Sequence, residues 1–140
     1  MEFVNFEIAK KLKEKGYPQV KKNTIAMYNE DGDWYSLSTT LDDFYYVFED
    51  FDEHDYVCPT IPQALKWLRE EKKYHIKFDG NAFGYLFIVS DIPSEGGTDR
   101  YCSYYKGPND GGCWDTYEEA ALAGIEYVLD NLIAQIIHRK

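Results

Sequence analysis

The stretch Thr60–Asp91, TIPQALKWLREEKKYHIKFDGNAFGYLFIVSD, constrains the fold more than any other part of the chain, because it reads as a capped helix running directly into a β-hairpin. Thr60 followed by Gln63 is a capping box: the threonine hydroxyl accepts from a first-turn amide while the glutamine reaches back to the cap. Pro62 sits in the first turn, where no amide is needed. Ile61, Ala64, Leu65 and Leu68 then recur at helical spacing, with Lys66, Arg69, Glu70 and Lys73 on the other sides, so about three turns with one buried face are expected. Tyr74, Ile76 and Phe78 alternate with His75, Lys77 and Asp79 as in a half-buried strand. Asp79-Gly80-Asn81 supplies turn chemistry. Tyr85 to Val89 is a continuous apolar run, which predicts a central strand covered on both faces.

Two more helices flank this unit. Asn5 caps a first helix with Ile8, Ala9 and Leu12 inward and Lys10, Lys11, Lys13 and Lys15 outside or toward the C-terminus, and Gly16-Tyr17-Pro18 stops it. Thr116 to Glu119 is a second capping box opening the longest helix, whose stripe is Tyr117, Ala121, Ile125, Val128, Leu129, Leu132, Ile133 and Ile136. Thr24–Tyr28 and Trp34–Leu37 form a predicted hairpin around an Asp-Gly turn, and Arg100–Tyr105 a further strand. Asp42–Asp55 has loop-like ends and space for one more short strand. The order is helix, two strands, acidic segment, helix, three strands, helix. It predicts a single α+β domain over residues 1–140, with a largely antiparallel sheet of about five strands and three helices.

With 29% charged and 44% hydrophobic residues the chain is globular, and no apolar run approaches the length of a membrane span. Acids and lysines in the apolar positions of the first residues are unlike a signal peptide. Cys58, Cys102 and Cys113 lack CxxC spacing, which points to reduced thiols and a cytoplasmic setting. The net charge of −10 opposes binding to nucleic acid through its phosphates. Thr24 to Leu65 contains ten acids and no Lys or Arg, whereas the first 23 residues have six lysines against three glutamates. An electrostatic partner of the middle stretch must therefore be basic.

Three stretches, FEIAKKLKEKGYP (6–18), PTIPQALKWLREEKKYHIKF (59–78) and TYEEAALAGIEYVL (116–129), resemble small uncharacterised α+β proteins of Bacteroides-type gut bacteria and their phages or mobile elements. The resemblance implies a small intracellular accessory protein of mobile-element origin. It implies no reaction, cofactor or catalytic residue.

Glu49-Asp50-Phe51-Asp52-Glu53-His54-Asp55 reads either as a solvated acidic loop or as hard ligands for a divalent cation, but it lacks the glycine and terminal glutamate of a calcium loop. Asp31-Gly32-Asp33 is explained by turn chemistry, with a metal role as the alternative. Cys113, in Gly111-Gly112-Cys113-Trp114, is a thiol-nucleophile candidate with His54, His75 or His138 as base, or else a small residue packed at a loop end. A zinc site from the three cysteines and a histidine would need ligands from scattered positions. GxxxxGK[ST], GxGxxG, HExxH and GxSxG are absent, so no catalytic, cofactor or metal residues are assigned. The 13 Tyr, 8 Phe and 3 Trp exceed what a core of this size easily hides, and Tyr and Trp suit interfaces. The reading is a protein-binding module whose partner surface centres on Tyr45, Tyr46, Glu49, Asp50, Asp52, Glu53, Asp55 and Tyr56. Its alternatives are a phage-type DNA mimic and a small enzyme near Cys113. A homodimer through a sheet edge or the last helix is compatible with it.

Overall fold

A computed structural model describes residues 2–20, 24–36, 54–92 and 99–133. Among these residues three helices, α1 (Phe6–Glu14), α2 (Ile61–Glu71) and α3 (Tyr117–Asn131), pack with six strands: β1 (Ala26–Tyr28), β2 (Trp34–Ser36), β3 (Tyr56–Val57), β4 (Tyr74–Asn81), β5 (Gly84–Asp91) and β6 (Asp99–Cys102). The class is α+β, as the helix and strand periodicities require. The strands form two antiparallel three-stranded sheets, β2-β1-β3 and β4-β5-β6, where a single sheet of about five strands was expected. The extra strand, β3, begins at Tyr56, just past the acidic run, and pairs Val57 with Met27.

The caps at Asn5 and Thr60 form as read, and at Thr116 the hydroxyl half of the box forms. Asn5 Oδ1 accepts from Ile8 N at 2.9 Å. Thr60 Oγ1 accepts from Gln63 N at 3.2 Å while Gln63 Oε1 accepts from Thr60 N at 2.9 Å, the full reciprocal box. Thr116 Oγ1 accepts from Glu119 N at 3.0 Å. Each cap supplies an acceptor to an amide that has no partner inside its helix. In α2, Ile61, Ala64 and Leu68 are buried, and in α1, Ile8, Ala9 and Leu12. Lys15 departs from its expected surface position: only 8% exposed, it sends its Nζ to Ile133 O at 3.0 Å. A buried ammonium needs such an acceptor, and this one lies just past the end of α3, where carbonyls are unpaired.

β5 is the centre of its sheet, with Leu86, Phe87 and Val89 buried. The β4–β5 turn falls at Ala82–Phe83 rather than at Asp79-Gly80-Asn81, since the ladder continues to the pair Asn81↔Gly84. Asn81 Oδ1 accepts from Phe83 N at 2.7 Å, and Gly84 takes φ 136°, so the side-chain turn starts two residues after Asp79 and the permissive glycine lies four after Gly80. β6 likewise stops at Cys102. There Ser103 is buried, its Oγ accepting from Phe87 N at 2.8 Å.

α3 crosses β4 and β5 and touches α1 and α2. A Cβ on Gly124 would lie 3.1 Å from Ile76 and 3.2 Å from Phe87, so this position lets the helix approach the sheet closely. Ile125, Val128 and Leu129 are fully buried behind it, while Tyr117, expected on the stripe, is exposed and rests edge-on against Phe78 at 4.7 Å. One buried cluster joins α1, α2, α3 and the β4–β5 hairpin.

Replacing Leu68 with Ala empties a site with no solvent exposure and is expected to cost about 2–5 kcal/mol. Thr60→Ala, which removes only the cap acceptor, should cost about 1 kcal/mol. Urea unfolding of both variants measures the pair, and equal losses would contradict this division between core and cap.

Candidate functional site

Among the described residues Phe87 is the one aromatic that is fully buried, so the rings form a rim around the aliphatic core rather than its centre. On the first sheet Phe3 meets Trp34 at 5.3 Å, and Phe6 meets Tyr28 at 5.4 Å and Tyr56 at 5.6 Å. Trp34 is nonetheless 46% exposed, and Tyr35 beside it is exposed as well. Exposed Glu30, Asp31 and Asp33 form the turn leading into this strand, and Asn29 Oδ1 accepts from the amides of Asp31 and Asp33 at 2.9 Å. The Asp-Gly turn chemistry is thus sufficient to explain this loop.

Of the residues predicted for the partner surface, Tyr45, Tyr46, Glu49, Asp50, Asp52 and Glu53 lie outside the described residues. Asp55 and Tyr56 are both half-buried. Asp55 accepts from the Tyr35 hydroxyl at 2.5 Å, and its carbonyl takes the Lys13 ammonium at 3.0 Å. Tyr56 has Lys13 Nζ 4.8 Å above its ring. Both residues therefore fix the edge of the acidic segment to α1 and β2.

Beneath this rim Cys58 is buried, its thiol donating to Val4 O at 3.5 Å. Burial pushes the thiol up to about 11, partly opposed by the polar groups of neighbouring Trp34 and Tyr28. Burial also pushes the Tyr28 hydroxyl, which donates to Val4 O at 2.9 Å, up to about 12. Both groups are held in their uncharged forms, the reverse of what activates a nucleophile.

The glycine-rich loop is built around Asn109. Its Oδ1 accepts from Gly111 N at 3.0 Å and Cys113 N at 2.9 Å, and its Nδ2 donates to Phe83 O at 2.7 Å and Asp115 Oδ1 at 3.0 Å. Trp114 exchanges two backbone bonds with Tyr85, at 2.8 and 2.9 Å. Cys113 is buried beneath, 3.8 Å from Asn81 Oδ1 and from Gly111 O. A Cβ on Gly107 would lie 2.4 Å from the Cys113 backbone, and one on Gly84 2.2 Å from Trp114 O. These glycines are required by packing, so their place beside Cys113 needs no catalytic explanation; His138, one of the candidate bases, lies outside the described residues. Among the described residues no group of three or more His, Cys, Asp or Glu is placed to hold a metal ion, and no helix is long and apolar enough to cross a membrane.

A groove of about 680 Å³ opens between Tyr17, Pro18, Val20, Thr24 and Ile25 on one side and the outer face of α2 on the other. Its walls are Tyr17, Val20, Ile25 and Trp67, and Gln63, Lys66, Glu70 and Glu71 line its polar side. Sequence periodicity did not find it, because its walls come from the loop after α1 and from the face of α2 opposite the core stripe. No family model matches the chain, and no curated protein or solved structure does.

Two outcomes follow. Because the folded state raises the Cys58 value above the ordinary 9.0, stability is fully present below pH 9 and is lost as pH climbs toward 11, by about 2 kcal/mol. Urea midpoints across that range should fall for the parent, and Cys58→Ala should flatten the early part of the slope, before Tyr28 begins to titrate. Asn109→Ala, which releases two amides and frees Phe83 O, should cost about 1–3 kcal/mol and is measured in the same assay.

Proposed function

We propose that this protein is a non-catalytic binding module that engages a basic surface of another protein through its acidic, tyrosine-rich middle stretch. The observation that carries this reading is the exposed Trp34–Tyr35 strand edge beside Glu30, Asp31, Asp33 and Asp55, in a region of ten acids without a lysine or arginine. Large rings supply contact area at low conformational cost, and the acids supply orientation and a fast approach. Of the α1 lysines, Lys13 meets this edge directly, at the Asp55 carbonyl and over the Tyr56 ring. Lys11 is committed to Glu126 at 2.7 Å and Asp130 at 3.1 Å, with its value raised by those partners, and Lys15 is buried.

The resemblance to proteins of Bacteroides-type bacteria and their phages suggests an intracellular accessory role, with a host or element protein as the partner. A DNA mimic would be a special case in which that partner binds DNA.

Affinity capture from lysate of such a host tests the reading. A basic protein should be retained at low salt, released at high salt, and lost when Asp31, Asp33, Asp50, Asp52 and Glu53 are changed to Asn or Gln. Retention that survives the neutralised variant would remove the acidic surface from the account.

A further inference from the structure

A second exposed aromatic group lies on the other sheet, away from the acidic stretch in sequence. Phe83 at the β4–β5 turn is 61% exposed, and Tyr104 and Tyr105, just after β6, are 57% and 69% exposed. Two adjacent glycines connect them. The Gly111-Gly112 dipeptide passes between the two sets of rings, so that a Cβ on Gly111 would fall 2.2 Å from Phe83 Cγ and one on Gly112 2.4 Å from Tyr105 Cα. Tyr104 and Tyr105 lie 4.1 Å apart by ring centroid, and the Tyr104 hydroxyl donates to that of Tyr105 at 3.2 Å.

The patch is rigid and strained. Asn109 fixes the loop to the hairpin tip, and Tyr105 holds φ 63°, a region that bulky residues avoid. A chain that needed only to close this loop would place Gly or Asn there. A strained, exposed aromatic residue marks a position kept for contact rather than for stability. Two exposed carboxylates belong to the same loop: Asp110 precedes Gly111, which packs on Phe83, and Asp115 shares the Asn109 amide with Phe83 O, while Lys106 is the nearest cation in sequence. Tyrosine faces beside carboxylates are complementary to a guanidinium, which stacks on the ring and pairs with the acid, while the same carboxylates repel phosphates.

We infer that Phe83, Tyr104 and Tyr105 form a docking platform for an arginine-bearing protein segment. This site is separate from the Trp34–Tyr35 edge, and its function does not depend on the reading of the acidic stretch.

The test uses the full chain and fluorescein-labelled peptides of alternating Gly-Arg and Gly-Lys, followed by anisotropy at physiological salt. The Gly-Arg peptide should bind several-fold more tightly than Gly-Lys. Tyr105→Asn should weaken Gly-Arg binding roughly fivefold, the loss of one exposed cation–ring contact. Tyr104→Ala should act similarly, while Asp31→Asn with Asp33→Asn leaves the arginine preference intact. Asn tolerates positive φ, so Tyr105→Asn should keep or raise the melting temperature while binding falls. No measurable Gly-Arg binding, equal affinity for the two peptides, or unchanged binding by a folded Tyr105→Asn would each overturn the proposal. So would preferential binding of an oligothymidylate, which would make the rings a base-stacking surface.

Discussion

Four residues, Val57 to Thr60, hold this fold in register. Val57 closes the first sheet against Met27. Cys58 N donates to Ala26 O at 3.0 Å, Pro59 O accepts from Val4 N at 3.1 Å, and Thr60 caps α2 while bridging to Phe3. The first sheet, the strand-like N-terminus and the helix that leads into the second sheet are thus joined through consecutive peptide groups. All four are buried, so water offers no substitute for these bonds. The raised values of Cys58 and Tyr28 are a by-product: a segment that must exclude water to hold its backbone bonds also suppresses charge on the side chains within it.

The elements that were legible in the sequence are those whose cause is local. Caps at Asn5, Thr60 and Thr116 depend on residues three apart, and the stripes of α1 and α2 on one helical period, so each could be read without knowing what lay opposite. The misplaced turn at Asp79-Gly80-Asn81 and the overlong β6 have the opposite origin. Trp114 pairs with Tyr85 and Ser103 with Phe87, and these contacts from distant loops decide where the hairpin turns and where the strand ends. Burial of Lys15 is similar, since its acceptor at Ile133 is contributed by the far end of the chain. The division into two sheets was not legible for the same reason: β1 finds β3 across the whole acidic stretch.

The candidate sites were legible only as composition. An excess of tyrosine predicts that rings will reach the surface but not which ones, because the same residue type serves three purposes here. Tyr28 and Tyr74 send hydroxyls to backbone carbonyls, Tyr101 and Tyr127 stack at 3.8 Å over the sheet, and Tyr104 and Tyr105 face outward. What separates these classes is whether a ring meets an acceptor or ring from a distant part of the chain, as the first two do, or only its sequence neighbour, as Tyr104 and Tyr105 do, which depends on tertiary placement.

Tyr105 differs from the other exposed rings in a way that bears on function. Trp34 is exposed yet packs against Phe3 and helps cover Cys58, so part of its surface is accounted for by stability. Tyr117 meets Tyr85 edge-on at 6.2 Å and packs against Phe78. For Tyr105 the fold gains a neighbour in Tyr104, itself exposed, and bears an unfavourable backbone conformation in return. Local consistency between residue and backbone is the general rule in natural chains, and departures from it concentrate where something other than folding is being served. Phe83 packs on the first of the same glycines, its backbone held by Asn81 and Asn109 while its ring stays mostly in solvent. The glycine-rich loop, which in the sequence drew attention to Cys113, thereby acquires a different meaning: its glycines bury the thiol beneath and bring the rings together above.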